Sequence, residues 1–396
     1  MSVRRGFATL TVAALATVSL AACNDAPSAS DPDATGATDP AATSPTAAPV
    51  TIKTNVKRRN VPVDKLVEVS AEGGSLDKVT VTSGEGDLAG KLGTDGSWRA
   101  SDRLEPGTTY TVRTVATSDD GEELSDTTKF STVDLTLDEQ TFASIAPLQG
   151  ETVGVGMPVI VTFDVPVTDK ASMEKQMTVT SKPAQQGTWH WISDTEAHYR
   201  PKTYWQAGTD VSVDLDINSV PAGGGVYGQE SRSVDFHIGS ANVYKVSATT
   251  DQMQVYTDGS LVRTIPITTG KPGFTTRSGV KVIIEKFPKK RMNSETIGID
   301  PNSAEGYDID DVRWAMRLTF SGEFLHAAPW SVASQGHENV SHGCTGMSTE
   351  NAKWLYDRSK RGDVVEYVGT DVGMTLTNGY GDWNEPFGEY AAGSAL

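Results

Sequence analysis

Four consecutive residues, Ser341-His342-Gly343-Cys344, put an imidazole two positions from a thiol. A free thiol is mostly protonated at neutral pH, and a neighbouring imidazole can take its proton and release the nucleophilic thiolate. In an extended backbone, residues two apart point to the same side. Gly343 between them lets the main chain come close and present its N–H. That N–H and the one of Cys344 could hold a developing oxyanion. Another histidine, His326, lies upstream with fourteen residues between it and Ser341. Two other readings of the residues stay open. A lone cysteine is often a small buried hydrophobe, and a His–Cys pair can bind zinc. Zinc would need three or four ligands, and only His326 and His337 stand near with no second cysteine.

These residues need elements to position them. Val243-Tyr-Lys-Val246, Gln252 to Tyr256 and Leu261 to Ile265 read as strands, with Asp258-Gly259 as a hairpin turn. Lys281 to Glu285 and Val312 to Phe320 read as further strands. Phe287 to Asp311 is polar and rich in turn residues, which predicts a long loop of the kind that covers a site. A helix should follow Cys344, with Ser348 as N-cap, Glu350 in the first turn and Lys360-Arg361-Gly362 at its end. Asp363 to Val368 then reads as a closing strand. The aromatics Trp383, Phe387 and Tyr390 should fold the tail back onto the protein.

His326, the fourteen-residue gap and Ser341-His342-Gly343-Cys344 together resemble the signature of L,D-transpeptidases, enzymes that cross-link bacterial peptidoglycan. Asn302-Ser-Ala-Glu-Gly-Tyr307, Gly322-Glu-Phe-Leu-His326-Ala-Ala-Pro-Trp330, Gln335-Gly-His337 and Asn351-Ala-Lys-Trp354 extend the resemblance across about Val243 to Asp371. The resemblance implies Cys344 as the acylated nucleophile and His342 as its base, oriented by the main-chain carbonyl of Ala327. His326 would support the substrate. Tyr307 and the N–H groups of Gly343 and Cys344 would frame the oxyanion, while Met292, Gly322, Trp330 and Ser341 would line the pocket. No metal or cofactor is implied. The implied reaction is 3→3 cross-linking through a cysteine thioester with release of D-alanine from a tetrapeptide stem, a neighbouring stem being the acceptor. Carbapenems should acylate the same thiol. An L,D-carboxypeptidase, an enzyme that attaches a protein to peptidoglycan, and a non-enzymatic wall-binding lipoprotein are the alternatives. Many family members have an asparagine two residues after the cysteine, where this chain has Gly346.

Upstream, short alternating runs such as Lys78 to Thr82, Thr109 to Val115 and Val159 to Phe163 are separated by turn signals, the pattern of β-sandwiches. Leu104-Glu-Pro-Gly-Thr-Thr-Tyr-Thr-Val112 is echoed by Trp205-Gln-Ala-Gly-Thr-Asp-Val-Ser-Val213, one immunoglobulin-like domain further on. The expected fold is therefore mainly β. Two tandem immunoglobulin-like β-sandwiches (residues 50–135 and 136–240) precede a β-rich L,D-transpeptidase catalytic domain (241–370) with a short helix after the nucleophile. A C-terminal extension (371–396) follows. The cluster Trp189, Trp191, Tyr199, Tyr204 and Trp205 reads as packed core or inter-domain contact.

Arg4-Arg5 and an apolar run from Phe7 to Leu20 form a signal segment too short for a span of about 20 residues. Leu20-Ala21-Ala22-Cys23 resembles a bacterial lipobox, so residues 1–22 would be removed and Cys23 lipidated. Residues 23–49 are almost free of large apolar side chains and read as a disordered tether. The expectation is an exported protein, lipid-anchored to the outer face of the membrane. With both cysteines so assigned, no disulfide holds the fold. A net charge of −17 argues against nucleic acid as a partner.

Overall fold

The computed structural model describes residues 49–396; the signal segment, Cys23 and nearly all of the tether lie outside them. The fold is mainly β. In the first sandwich, one sheet runs Thr51–Thr54, Glu68–Glu72, Trp98–Ala100, Gly90–Leu92. The facing sheet runs Asp87–Leu88, Gly74–Thr82, Thr109–Ser118, Glu123–Ser131. Alternation explains the pairing of the faces. Along Thr109–Ser118 every second residue from Tyr110 is buried, as a half-buried strand requires. Val69, Leu76, Val81, Trp98, Leu104, Val112 and Phe130 fill the space between the sheets.

The second sandwich packs Ala143–Ala146, Val159–Phe163, Glu196–Pro201 and Gly187–Trp191 against Thr152–Val153, Arg232–Ile238, Asp210–Leu215 and Met177–Lys182. Trp189, Trp191, Tyr199 and Trp205 are core residues here. Each indole N–H finds a buried acceptor: Met177 O at 3.0 Å, Glu174 Oε2 at 2.8 Å and Met157 O at 2.8 Å, respectively. Burying a large apolar side chain contributes ~1.5–3 kcal/mol, and it does so fully only when the polar handle is also satisfied. The sequence echo has a physical basis in this pair of domains. Leu104 and Trp205 are both buried, and each anchors the turn that feeds an internal strand.

In the third part, a five-stranded sheet runs Ser260–Pro266, Gln252–Thr257, Asn242–Ser247, Val364–Val368, Gly279–Val282. A four-stranded sheet runs Glu285–Asn293, Asp308–Arg317, Phe324–Ala327, Thr345–Met347. The last pair is parallel and sets His326 opposite Gly346, which brings the upstream histidine to the cysteine turn. The helix Thr349–Arg358 is capped by the Ser348 hydroxyl, which accepts from Asn351 N at 3.2 Å. Its Ala352 and Leu355 close the core between the sheets with Tyr244, Met253, Ile283, Met316 and Leu325.

Two sequence expectations are corrected. The segment Phe287 to Asp311 is not one long loop: strands run to Asn293 and resume at Asp308, paired with Met292 opposite Ile309. Only the stretch from Ser294 to Tyr307 is a connection. The arms are charged because one face meets solvent, with Arg291 and Asp308 paired across the ladder, and this hid the strand pattern. The helix also stops at Arg358, before Lys360. The Ser359 hydroxyl turns back to Leu355 O at 2.6 Å, and Asp363 takes the Lys360 N–H at 2.8 Å.

The C-terminal segment ties the second sandwich to the five-stranded sheet of the third part. Asp382 accepts from His198 Nδ1 at 2.8 Å and from the Tyr390 hydroxyl at 2.9 Å. Arg200 lies over the rings of Trp383, Phe387 and Tyr390. Asn384 bonds both the N–H and the carbonyl of Val280, at 2.8 and 2.7 Å. The two parts also meet directly, through Gly154 N to Arg361 O and Gly156 N to Gly362 O, each 2.8 Å.

Candidate active site

Cys344 sits just before the strand Thr345–Met347. Two cavities meet at it. One, of about 310 Å³, is lined by Met292, Tyr307, Ile309, His326, Trp330, Ser341, His342 and Gly346 among others. The second, of about 230 Å³, takes in Lys290, Arg291, Arg317, Phe320, Gly322 and Phe324. Met292, Tyr307 and Cys344 belong to both. The first has no Lys, Arg, Asp or Glu in its lining, whereas the second is rimmed by cations.

The thiol donates to Gly322 O at 3.6 Å. Burial pushes it up to about 11, so it stands protonated at neutral pH. His326 is buried, and its Nδ1 bonds Ala327 O at 2.8 Å. That bond fixes Nδ1 as the donor and leaves Nε2 as an acceptor. Burial lowers the ring's pKa, the Ala327 bond opposing it, so the imidazole is neutral. A neutral base and a protonated thiol share one pocket. Trp330 stacks on His326 with ring centroids 5.9 Å apart.

The structure corrects the implied role of Ala327: its carbonyl orients His326, not His342. The His342 Nε2 instead meets Glu305 Oε2 at 2.8 Å. Glu305 also takes Lys271, and its carboxyl is held below the usual range by Lys271 first and His342 second. Phe274 and Tyr307 flank the His342 ring at 4.5 and 5.3 Å. His342 is thus bound into the connection that covers the site. A second correction concerns Gly343. Its N–H is already engaged by the Ser341 hydroxyl at 3.1 Å, and that hydroxyl donates to Cys344 O at 2.6 Å. The turn satisfies itself and does not offer this N–H to a substrate.

Tyr307 reaches both cavities, and burial raises its phenol to about 12, the nearby Cys344 adding to the effect. It remains a hydroxyl donor. Gly346 is packed into the sheet: a Cβ there would stand 2.8 Å from the Ala328 Cβ and 3.2 Å from the Thr268 Cγ2. The missing asparagine therefore reflects a filled space. Glu305 and Glu323 were both inside segments that carried the family resemblance, yet no local spacing signalled their partners Lys271, Lys281 and Arg277.

A family model described as L,D-transpeptidase catalytic domain matches residues 241–366. Another, described as bacterial Ig domain, matches residues 58–221 and so spans parts of both sandwiches. The chain is 36% identical over 339 residues to L,D-transpeptidase 2 of Mycobacterium tuberculosis, covering 85% of this chain and 82% of that relative. L,D-transpeptidase 5 of the same species is 34% identical over 340 residues, covering 83% and 73%. A solved LD transpeptidase in complex with imipenem aligns with a TM-score of 0.51 at 36% identity, over 57% of this chain and 98% of that one. The chain belongs to the L,D-transpeptidases and is an enzyme of that family.

Proposed function

We propose that this enzyme forms 3→3 cross-links in peptidoglycan, with Cys344 as nucleophile and His326 as its base. The observation that carries this reading is the single thiol shared by two cavities, one for each stem. His326 Nε2 takes the thiol proton as sulfur attacks the carbonyl before the terminal D-alanine. The Tyr307 hydroxyl and the Cys344 N–H face the developing oxyanion. The C–N bond breaks, the proton passes to the departing amine, and a thioester remains. The amine of a neighbouring stem then attacks the thioester, losing a proton to His326, which returns it to the departing sulfur. Carbapenems acylate Cys344 by imitating the donor; the imipenem complex of the similar enzyme supports this. Cys23 carries lipid, the following residues act as a tether, and the two sandwiches hold the catalytic part away from the membrane on the outer face.

The purified chain incubated with a disaccharide-tetrapeptide tests the reading by mass spectrometry. A dimer lighter by one D-alanine supports it. Release of D-alanine without dimer makes water the acceptor, and no thioester at Cys344 under either condition overturns the mechanism.

A further inference from the structure

A buried ion cluster lies directly behind the nucleophile and takes no part in the steps above. Glu323 is 5% exposed and Lys281 is 0% exposed. The Glu323 carboxylate accepts from Lys281 Nζ and from Arg277, the latter through its Nη1 at 2.9 Å and its backbone N at 3.1 Å. Lys281 Nζ also stands 3.7 Å from the centroid of Tyr367. Two buried charges carry a desolvation cost of several kcal/mol each, which only tight pairing offsets. A cluster of that kind for stability alone would be a poor choice beside apolar packing, so its position matters.

That position is the sulfur's cradle. Glu323 lies between Gly322, whose carbonyl receives the thiol proton, and Phe324, whose N–H approaches the sulfur. Its own N–H and carbonyl are held by the Thr319 hydroxyl and Leu318 N, each at 2.9 Å. Its Cγ is 3.8 Å from where a Cβ on Gly343 would stand, so the stem lies beside the turn carrying Cys344. On the same side, the Thr276 hydroxyl next to Arg277 donates to Gly343 O at 2.8 Å. The cysteine turn and its cradle are thus pinned by one carboxylate and its two cations.

We propose that Glu323 is a positioning residue for Cys344: pinned by Lys281 and Arg277, it fixes the Gly322–Phe324 cradle and sets the field at the sulfur. The inference rests on Cys344 being the nucleophile of the proposed reaction. The charged and titratable groups that face the sulfur are Glu323, Lys281 and Arg317, with Tyr307, Tyr367, His326 and His342 around it. Glu323 opposes the thiolate more strongly than Lys281 favours it. Burial brings Lys281 down to about 8, with Glu323 opposing, so an unpartnered Lys281 sheds its proton readily. Removing the carboxylate still favours the thiolate on balance.

Two variants of the full chain therefore move the thiol in opposite directions. Iodoacetamide alkylation at pH 7, where Lys281 still carries its proton, read on the Cys344-containing peptide by mass spectrometry, reports the thiolate without requiring transpeptidation, and so separates this inference from the reaction itself. Glu323→Gln is expected to alkylate about tenfold faster, one pH unit of thiol titration, while its imipenem acylation slows because the cradle has lost its pin. Lys281→Met breaks the same pair yet is expected to alkylate more slowly than wild type. A merely structural role loosens the site in both and moves alkylation the same way. The same direction in both variants, or no change in either, overturns the proposal. Should Glu323→Gln fail to fold, Lys281→Met decides alone: slower alkylation supports the role, and unchanged or faster alkylation refutes it.

Discussion

Asp382→Asn is the most direct test of how the C-terminal segment is held. His198 and Asp382 are both buried, and they are 2.8 Å apart. Burial is the largest single influence and works against a charged imidazole, but Asp382 on Nδ1 and Glu196 on Nε2, 3.1 Å away, together outweigh it and raise His198 to about 9. An unfolded histidine titrates near 6.5, so the two carboxylates together contribute about 3 kcal/mol at ~1.4 kcal/mol per pH unit, Asp382 the larger part. Because the folded value is the higher one, this stability is complete below about pH 6.5 and is lost as pH rises through about 9. Asp382 is lowered by His198 against the effect of its own burial, so acid removes the pair from the other side. These are one interaction seen from two partners and are not added. In Asp382→Asn the imidazole should titrate at least about two pH units lower, measured on its ring proton by NMR. Urea unfolding should show a loss of ~3 kcal/mol or more at pH 6 and about 1 kcal/mol at pH 9.5, where only a neutral hydrogen bond is lost. A wild-type His198 that titrates near 6.5, or an equal loss at both pH values, would refute the reasoning. The clasp matters beyond stability, since the same segment carries Asn384 to the strand that holds Lys281.

Three further outcomes follow from the site. His326→Gln should slow imipenem adduct formation by about 10² or more, whereas His342→Gln should slow it far less; the reverse order, in adduct mass against time, would restore His342 as the base. Ala327→Ser should change that rate by less than about twofold, because only the carbonyl is used, and a large loss would refute a backbone-only role. Glu305→Gln should speed amide exchange in residues 300–307 by a few-fold at low salt. High salt should narrow the difference, since the Lys271–Glu305–His342 contact is only partly buried and so partly screened.

Local chemistry made much of this protein legible in the chain alone. The thiol beside an imidazole and the alternating runs are short-range patterns. Each depends only on residue type and a period of two, so strands, sandwiches and the candidate thiol were legible in the chain. The charged arms at Glu285–Asn293 and Asp308–Arg317 escaped because a solvent-facing hairpin has little apolar alternation to reveal it. What only the tertiary structure decided is how each histidine is held at the thiol's pocket. His326 and His342 are equally plausible by type, and sequence proximity favours His342. The parallel pairing of Phe324–Ala327 with Thr345–Met347 brings His326 beside the cysteine turn, where Ala327 O orients it, while Glu305 draws His342 into the covering connection. The same holds for Lys281 and Glu323, forty-two residues apart in the chain. A buried charge needs its partner in space, and no spacing along the sequence announces it.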